Sequence, residues 1–220
     1  MKEYPLLFSP RSCMVYVKIC GITNLEDALT CVEAGAEALG FNFYAPSPRY
    51  IDPEAARKIV DQLPADVLTV GVFVNGETPE IVEHVATAAG VAALQLHGDE
   101  SPDYCRALSD RFVIKVLPVS REFKPERALD YQVQAIMLDA FDRAARGGTG
   151  RLIDWSVARR TSELVPRLFL AGGLSPENVA EAIAAVEPYG VDACSALEVR
   201  PGKKDPERVR AFLEAARVTR

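Results

Sequence analysis

Eight short apolar runs recur along the chain, each followed by a turn or capping residue and then a helix-like stretch, and this alternation narrows the fold more than any other feature. The runs fall at 15–20, 38–43, 68–74, 92–97, 112–119, 135–140, 168–172 and 191–195. Most are continuously apolar, as strands covered on both faces must be. Between them stand recognisable helix starts: Asn24 before Leu25, then Asp52-Pro53-Glu54, Thr78-Pro79-Glu80, Ser101-Pro102-Asp103, Ser175-Pro176-Glu177 and Asp205-Pro206-Glu207. All but the first combine a capping side chain with proline at the first helical position, where its missing N–H is no loss, and an acid beside the positive end of the helix dipole. Eight strand–helix units in 220 residues predict an α/β fold, a (β/α)8 or TIM barrel built as a single domain. A doubly wound open sheet is the rival. It would be expected to carry a G-x-G-x-x-G turn after its first strand, and this chain has none there.

Two segments depart from the alternation. Residues 1–13 contain Pro5, Ser9 and Pro10 around a short apolar patch and read as a loosely held N-terminal extension, so the barrel domain spans 14–220 with Met14 as its natural start. Residues 141–154 form a long loop after the sixth run and include Arg146-Gly147-Gly148-Thr149-Gly150. Loops of that length in a compact domain are usually functional.

With 49% hydrophobic and 25% charged residues, the chain has the balance of an ordinary soluble domain. A net charge of -6 with scattered Lys and Arg excludes nucleic acid or an anionic membrane surface as the main partner, since either needs a basic footprint. A small anionic substrate stays compatible, because a few N–H groups and one arginine suffice to hold it. No apolar run is long enough to span a bilayer. Five cysteines, an odd number without a C-x-x-C pair, point to neither a disulfide framework nor a zinc site, and therefore to a reducing cytoplasm. A monomer and a homodimer are equally compatible with the pattern.

In such a barrel the chemistry sits at the C-terminal ends of the strands. Cys20 ends the first run against Gly21, where a thiol can face a pocket and serve as thiolate, or equally pack as a small hydrophobe. Asp139 ends the apolar Ile136-Met137-Leu138 run. A carboxyl there suits a general acid, and the glycine-containing loop that follows argues against a helix cap. Gly172 and Gly173 after the seventh run, and Ser195 and Ala196 after the eighth, occupy loops that bind a substrate phosphate in many barrels. Arg49 follows the stiff Pro46-Ser47-Pro48 and is placed for bidentate carboxylate binding, a solvated surface arginine being the alternative. His97, at the end of the fourth run, is a lesser candidate for a substrate contact, since histidines there are commonly hydrogen-bonded structural residues. Cys13, Cys31, Cys105, Cys194 and His84 read as structural or surface residues, and no cofactor or metal motif is evident.

Taken in order, these segments resemble the phosphoribosylanthranilate isomerase family. The likeness rests on Lys18-Ile19-Cys20-Gly21, Gly40-Phe41-Asn42-Phe43, Ser47-Pro48-Arg49-Tyr50-Ile51, Gln95-Leu96-His97-Gly98, Leu138-Asp139, Ala171-Gly172-Gly173-Leu174-Ser175-Pro176-Glu177 and Arg200-Pro201-Gly202-Lys203. It covers nearly everything after Met14. The resemblance implies an intramolecular oxidoreductase of tryptophan biosynthesis, working without a cofactor, that turns N-(5-phosphoribosyl)anthranilate into 1-(2-carboxyphenylamino)-1-deoxyribulose 5-phosphate by an Amadori rearrangement. It further implies that Asp139 protonates the furanose oxygen, that Cys20 removes the proton from C2, and that Arg49 grips the anthranilate carboxylate. Gly172, Gly173, Ser195 and Ala196 would hold the phosphate, with His97 as a further substrate contact.

One departure stands out. The family's eighth-strand loop reads Ser-Ser-Gly-Val-Glu, whereas this chain has Cys194-Ser195-Ala196-Leu197-Glu198. If the glycine position needs positive φ, Ala196 is strained; a helical conformation accommodates it. A related aminoaldose phosphate isomerase of histidine biosynthesis shares the barrel but uses two aspartates, which Cys20 argues against. A non-catalytic sugar-phosphate-binding barrel is the reading outside enzymes, and the joint presence of Cys20, Asp139 and Arg49 argues against that.

Overall fold

The structure, a computed structural model, describes residues 15–76, 78–140 and 154–217. The expected extension at 1–13, the start at Met14 and the loop glycines at 147, 148 and 150 lie outside these residues. Within them the chain forms a closed barrel of eight strands in sequence order. These are β1 (Tyr16–Cys20), β2 (Ala38–Asn42), β3 (Leu68–Phe73), β4 (Ala93–Leu96), β5 (Phe112–Val119), β6 (Ala135–Ala140), β7 (Leu168–Leu170) and β8 (Gly190–Ala193), all parallel, with β8 pairing back onto β1. The expected (β/α)8 architecture is the one observed.

Among the described residues seven α-helices follow the strands: α1 (Leu25–Ala34), α2 (Pro53–Val60), α3 (Pro79–Ala89), α4 (Pro102–Ala107), α5 (Trp155–Ser162), α6 (Val179–Val186) and α7 (Pro206–Arg217). Their starts follow from the caps. Asn24, Asp52, Thr78 and Ser101 each accept a hydrogen bond from a backbone N–H in the first turn of α1 to α4, and Asp205 does the same for α7. Three details differ from the sequence pattern. The β5–β6 connection carries a short 3-10 helix, Pro125–Asp130, in place of an α-helix. Asp154, which lacks a following proline, caps α5 through the Ser156 N–H. Ser175-Pro176-Glu177 forms a turn ahead of α6, because Asn178 accepts from the Ser175 N–H and donates to the Gly173 carbonyl, holding the chain in a loop until Val179.

Strand side chains alternate between two cores, as the two-residue period requires. One set, including Leu68, Phe112, Ile114, Met137 and Phe169, forms a cluster inside the barrel; the other, including Ile19, Leu39, Leu96, Leu138 and Val191, packs against the helices. Tyr16 stacks on Tyr189 at 5.9 Å and meets Phe169 edge-on at 6.0 Å, closing the N-terminal mouth with aromatic rings. The barrel is therefore plugged from below, and polar groups on its inner face are confined to the layers nearest the C-terminal ends.

Candidate active site

Those upper layers begin with an ion pair. Lys18 and Asp192 are register partners on β1 and β8, and Lys18 Nζ lies 2.7 Å from Asp192 Oδ1 with both side chains buried. Two positions above Lys18 on the same strand face is Cys20. Both crowd Gly40 of β2: a Cβ there would come within 2.8 Å of Cys20 Sγ and 3.1 Å of Lys18 Nζ. Burial pulls the Lys18 ammonium down, but the Asp192 carboxylate and the Cys20 sulfur outweigh it and hold the group charged. Burial pushes Asp192 up to about 7 in spite of Lys18. The partners move in the same direction because Lys18 faces two anions, whereas Asp192 faces one cation and shares its surroundings with Cys20 and Asp139.

A hydrogen bond from Cys194 is the largest influence on Cys20. Burial opposes it, while Lys18, Lys204 and His97 reinforce it, so the Cys20 thiol titrates well below its ordinary range. The same hydrogen bond, with burial, pushes Cys194 well above its own. The two thiols thus shift in opposite directions, with Lys18 and Lys204 adding to the depression at Cys20.

Across the cavity the arrangement is different. His97 follows β4 and its Nε2 lies 3.1 Å from Asp139 Oδ2 near the end of β6; its Nδ1 lies 3.2 Å from Gln95 Nε2. Gln95 and Asp139 thus hold the imidazole from either side, and His97 is in place to orient the Asp139 carboxyl group.

Arg49 stands at the rim. Its Nε lies 3.0 Å from both Glu198 carboxylate oxygens and its Nη2 lies 2.8 Å from Oε2. Lys204 Nζ binds the same carboxylate at 3.0 Å. Ser47 Oγ accepts from the Arg49 N–H and from Asn42 Nδ2, both at 3.1 Å, which ties the proline-flanked loop to β2. The guanidinium is therefore fixed from two directions.

A cavity of about 460 Å³ joins these groups, and Cys20, Arg49, His97, Asp139, Gly172, Gly173 and Ser195 all line it. Gly172 and Gly173 have φ of 81° and 78°, left-handed backbone that side-chain-bearing residues rarely adopt, and the sharp turn brings both to the cavity wall. Ala196 sits in a 3-10 turn, Ser195–Leu197, one residue beyond the lining. Among the described residues only Asn75 and Glu187 combine a side chain with positive φ, so Ala196 carries no strain.

The cavity brings together every candidate residue except Ala196, and it adds Gln95, Asp192 and Cys194, with Lys18 beneath. Lys18 and Asp192 leave a trace in the sequence: each is the single charge in an apolar run, Val17-Lys18-Ile19 and Val191-Asp192-Ala193. Cys194 leaves none, since a cysteine in such a run reads equally as core. Among the described residues no group of three or more His, Cys, Asp or Glu is arranged to hold a metal ion. A thiol with a depressed titration on one wall, a carboxyl on the other and a fixed guanidinium at the rim can take a proton from one atom of a bound molecule and deliver one to another.

Residues 17–215 match the family described as N-(5'phosphoribosyl)anthranilate (PRA) isomerase. The N-(5'-phosphoribosyl)anthranilate isomerase of Trichlorobacter lovleyi is 50% identical over 204 residues, 93% of this chain and 98% of that protein. A crystal structure of a phosphoribosyl anthranilate isomerase in complex with reduced 1-(o-carboxyphenylamino)-1-deoxyribulose 5-phosphate superposes with a TM-score of 0.83 at 48% identity, covering 92% of this chain and 98% of that one. Monomers generated from the dimeric enzyme of Thermotoga maritima superpose with a TM-score of 0.83 at 46% identity, with the same coverage of 92% and 98%.

Proposed function

The chain belongs to the N-(5'-phosphoribosyl)anthranilate isomerase family and is an isomerase of tryptophan biosynthesis, and we propose that it works through Cys20 as general base and Asp139 as general acid. The reaction converts N-(5'-phosphoribosyl)anthranilate to 1-(2-carboxyphenylamino)-1-deoxyribulose 5-phosphate. Asp139 donates a proton to the furanose oxygen, the ring opens to a Schiff base, and Cys20 takes the proton from C2. The resulting enolamine tautomerises to the ketone. One acid and one base on opposite walls meet the demands of this proton shift.

The observation that carries the assignment is the asymmetry of the cavity. A thiol whose titration Cys194 and Lys18 depress faces, across the barrel, a carboxyl group positioned by a histidine. When Asp139 gives up its proton, His97 is in place to stabilise the carboxylate left behind. Arg49 holds the anthranilate carboxylate through Nη1, the donor its bonds to Glu198 do not use. Gly172, Gly173 and Ser195 supply the phosphate site, with Ala196 adding its neighbouring amide; remote binding of this kind positions the reacting carbons. The partner is a small molecule rather than nucleic acid, consistent with a net charge of -6. No helix among the described residues is long and apolar enough to cross a membrane, and cysteine usage supports a cytoplasmic enzyme.

The direct test adds freshly prepared phosphoribosylanthranilate to the purified protein and follows the anthranilate fluorescence. Its loss at a rate proportional to enzyme is the expected outcome. An unchanged signal with folded protein would favour a sugar-phosphate-binding barrel without catalysis.

A further inference from the structure

The proposed mechanism uses one of two sulfurs at the top of β1 and β8, and the second asks for its own account. Ile19, the register partner of Ala193, is followed by Cys20 at the end of β1, and Ala193 by Cys194 just past the end of β8, so the two cysteines leave neighbouring strands side by side. Neighbouring strands run roughly 4.8 Å apart, within the ~4.4–6.8 Å Cα separation that a disulfide accepts. Both residues line the cavity and their thiols are in hydrogen-bond contact. Cys194 is also held from behind: its Sγ lies 3.8 Å from Glu198 Oε1 and 3.9 Å from Lys204 Nζ, and a Cβ on Gly21 would come within 2.9 Å of it. Cys31 and Cys105, by contrast, are packed in the helix-side core away from this pair.

We propose that Cys20 and Cys194 form a reversible intramolecular disulfide when a hydroperoxide reaches the cavity, and that this bond takes the enzyme out of action. The Cys20 thiolate attacks one peroxide oxygen, the O–O bond breaks, and a sulfenic acid and an alkoxide or hydroxide result. The Cys194 sulfur then attacks the Cys20 sulfur, the S–S bond forms, and the departing hydroxide takes up the Cys194 proton as water. With hydrogen peroxide the sum is two thiols and one peroxide giving one disulfide and two waters; the sulfurs lose two electrons and the oxygens gain them. Without a second sulfur at this distance, further peroxide would carry the sulfenic acid to sulfinic acid, which thiols do not reduce. Cys194 thus confines oxidation of the cavity-lining Cys20 sulfur to a form that a dithiol restores.

The disulfide rests on the neighbouring positions of the two thiols, while the loss of turnover rests on Cys20 being the base. The experiment separates the two. The purified protein is treated with hydrogen peroxide, samples are quenched by alkylation under denaturing conditions, and each is divided between peptide mapping and a turnover assay before and after dithiothreitol. A cross-linked pair of peptides containing Cys20 and Cys194, accumulating in step with lost activity and vanishing with dithiothreitol as activity returns, is the expected result. In Cys194→Ser, with each activity scaled to its own untreated value, the loss should no longer be recoverable and Cys20 should carry two added oxygens. Cys20 oxidised in the parent protein without a link to Cys194, or equal recovery in the two proteins, would overturn the proposal; the parent map decides if the variant does not fold. A cross-link with turnover intact would uphold the disulfide and overturn Cys20 as the base.

Discussion

The two walls of the cavity solve opposite problems with opposite means. On the β1–β8 side, a buried Lys18–Asp192 pair and a second thiol surround Cys20, so charge is concentrated and the Cys20 titration is depressed. On the β4–β6 side, Gln95 meets the ring of His97 and His97 meets Asp139, so the carboxyl group is set by a hydrogen-bonded relay. The proposed base is prepared by a buried ion pair and the proposed acid by position. The ion pair carries a cost: moving two ions out of water is several kcal/mol per ion, which only excellent geometry offsets.

The largest effects should come from removing the acting group on either wall. Cys20→Ala and Asp139→Asn are each expected to lower kcat by roughly 10²–10⁴-fold, the contribution of a positioned base or acid, with melting temperatures close to the parent. Steady-state fluorescence kinetics and calorimetry check both.

Removing the supports should split the comparison. A base must be deprotonated, so kcat/KM rises with pH through the Cys20 titration, and because that titration is depressed the rise falls below the ordinary thiol range of about 8.5. Lys18→Met takes away a cation that favours the thiolate. The rise should move to higher pH, with activity lost near neutrality and largely recovered in alkaline buffer; Asp192, already pushed up to about 7, can be accommodated as the neutral acid. His97→Asn should instead lower kcat at every pH and move the rising limb less than Lys18→Met does, since His97 is the smallest of the cationic influences on Cys20. If both variants shifted the limb alike, the contrast between the walls would be lost.

Arg49→Ala should raise KM more than it lowers kcat, because a carboxylate remote from the bond changes is held alike in ground and transition states. Glu198 keeps Lys204 as a partner, so the fold should survive. The smallest effect is expected from a chain beginning at Met14, which should keep its melting temperature and turnover if the broken pattern of residues 1–13 marks a loosely held extension.

The barrel was legible because its strands are buried on both sides and its helices begin at capping residues; both are local signals that survive without tertiary context. Cys20, Arg49, Asp139, Gly172 and Gly173 were legible for the same reason, each being a polar, reactive or conformationally special residue where an apolar run stops. What the sequence hid depends on neighbours far along the chain. That Lys18 meets Asp192 and Cys20 meets Cys194 follows only from closure of β8 onto β1, across more than 170 positions for the ion pair. The contact of His97 with Asp139 depends likewise on β6 lying two strands from β4, and it leaves His97 on the cavity wall. Arg49 points where it does because Glu198, from the small β9 (Glu198–Arg200) and β10 (Lys203–Lys204) hairpin, holds it.

The central claim is that the catalytic base is the Cys20 thiolate. Its most direct test compares two pH profiles of the parent protein: the rate of Cys20 alkylation, read by peptide mapping, and kcat/KM. Both should rise through the same midpoint, below the ordinary thiol range, and bound product should slow the alkylation. Two separate midpoints, or alkylated protein that still turns over, would contradict the assignment.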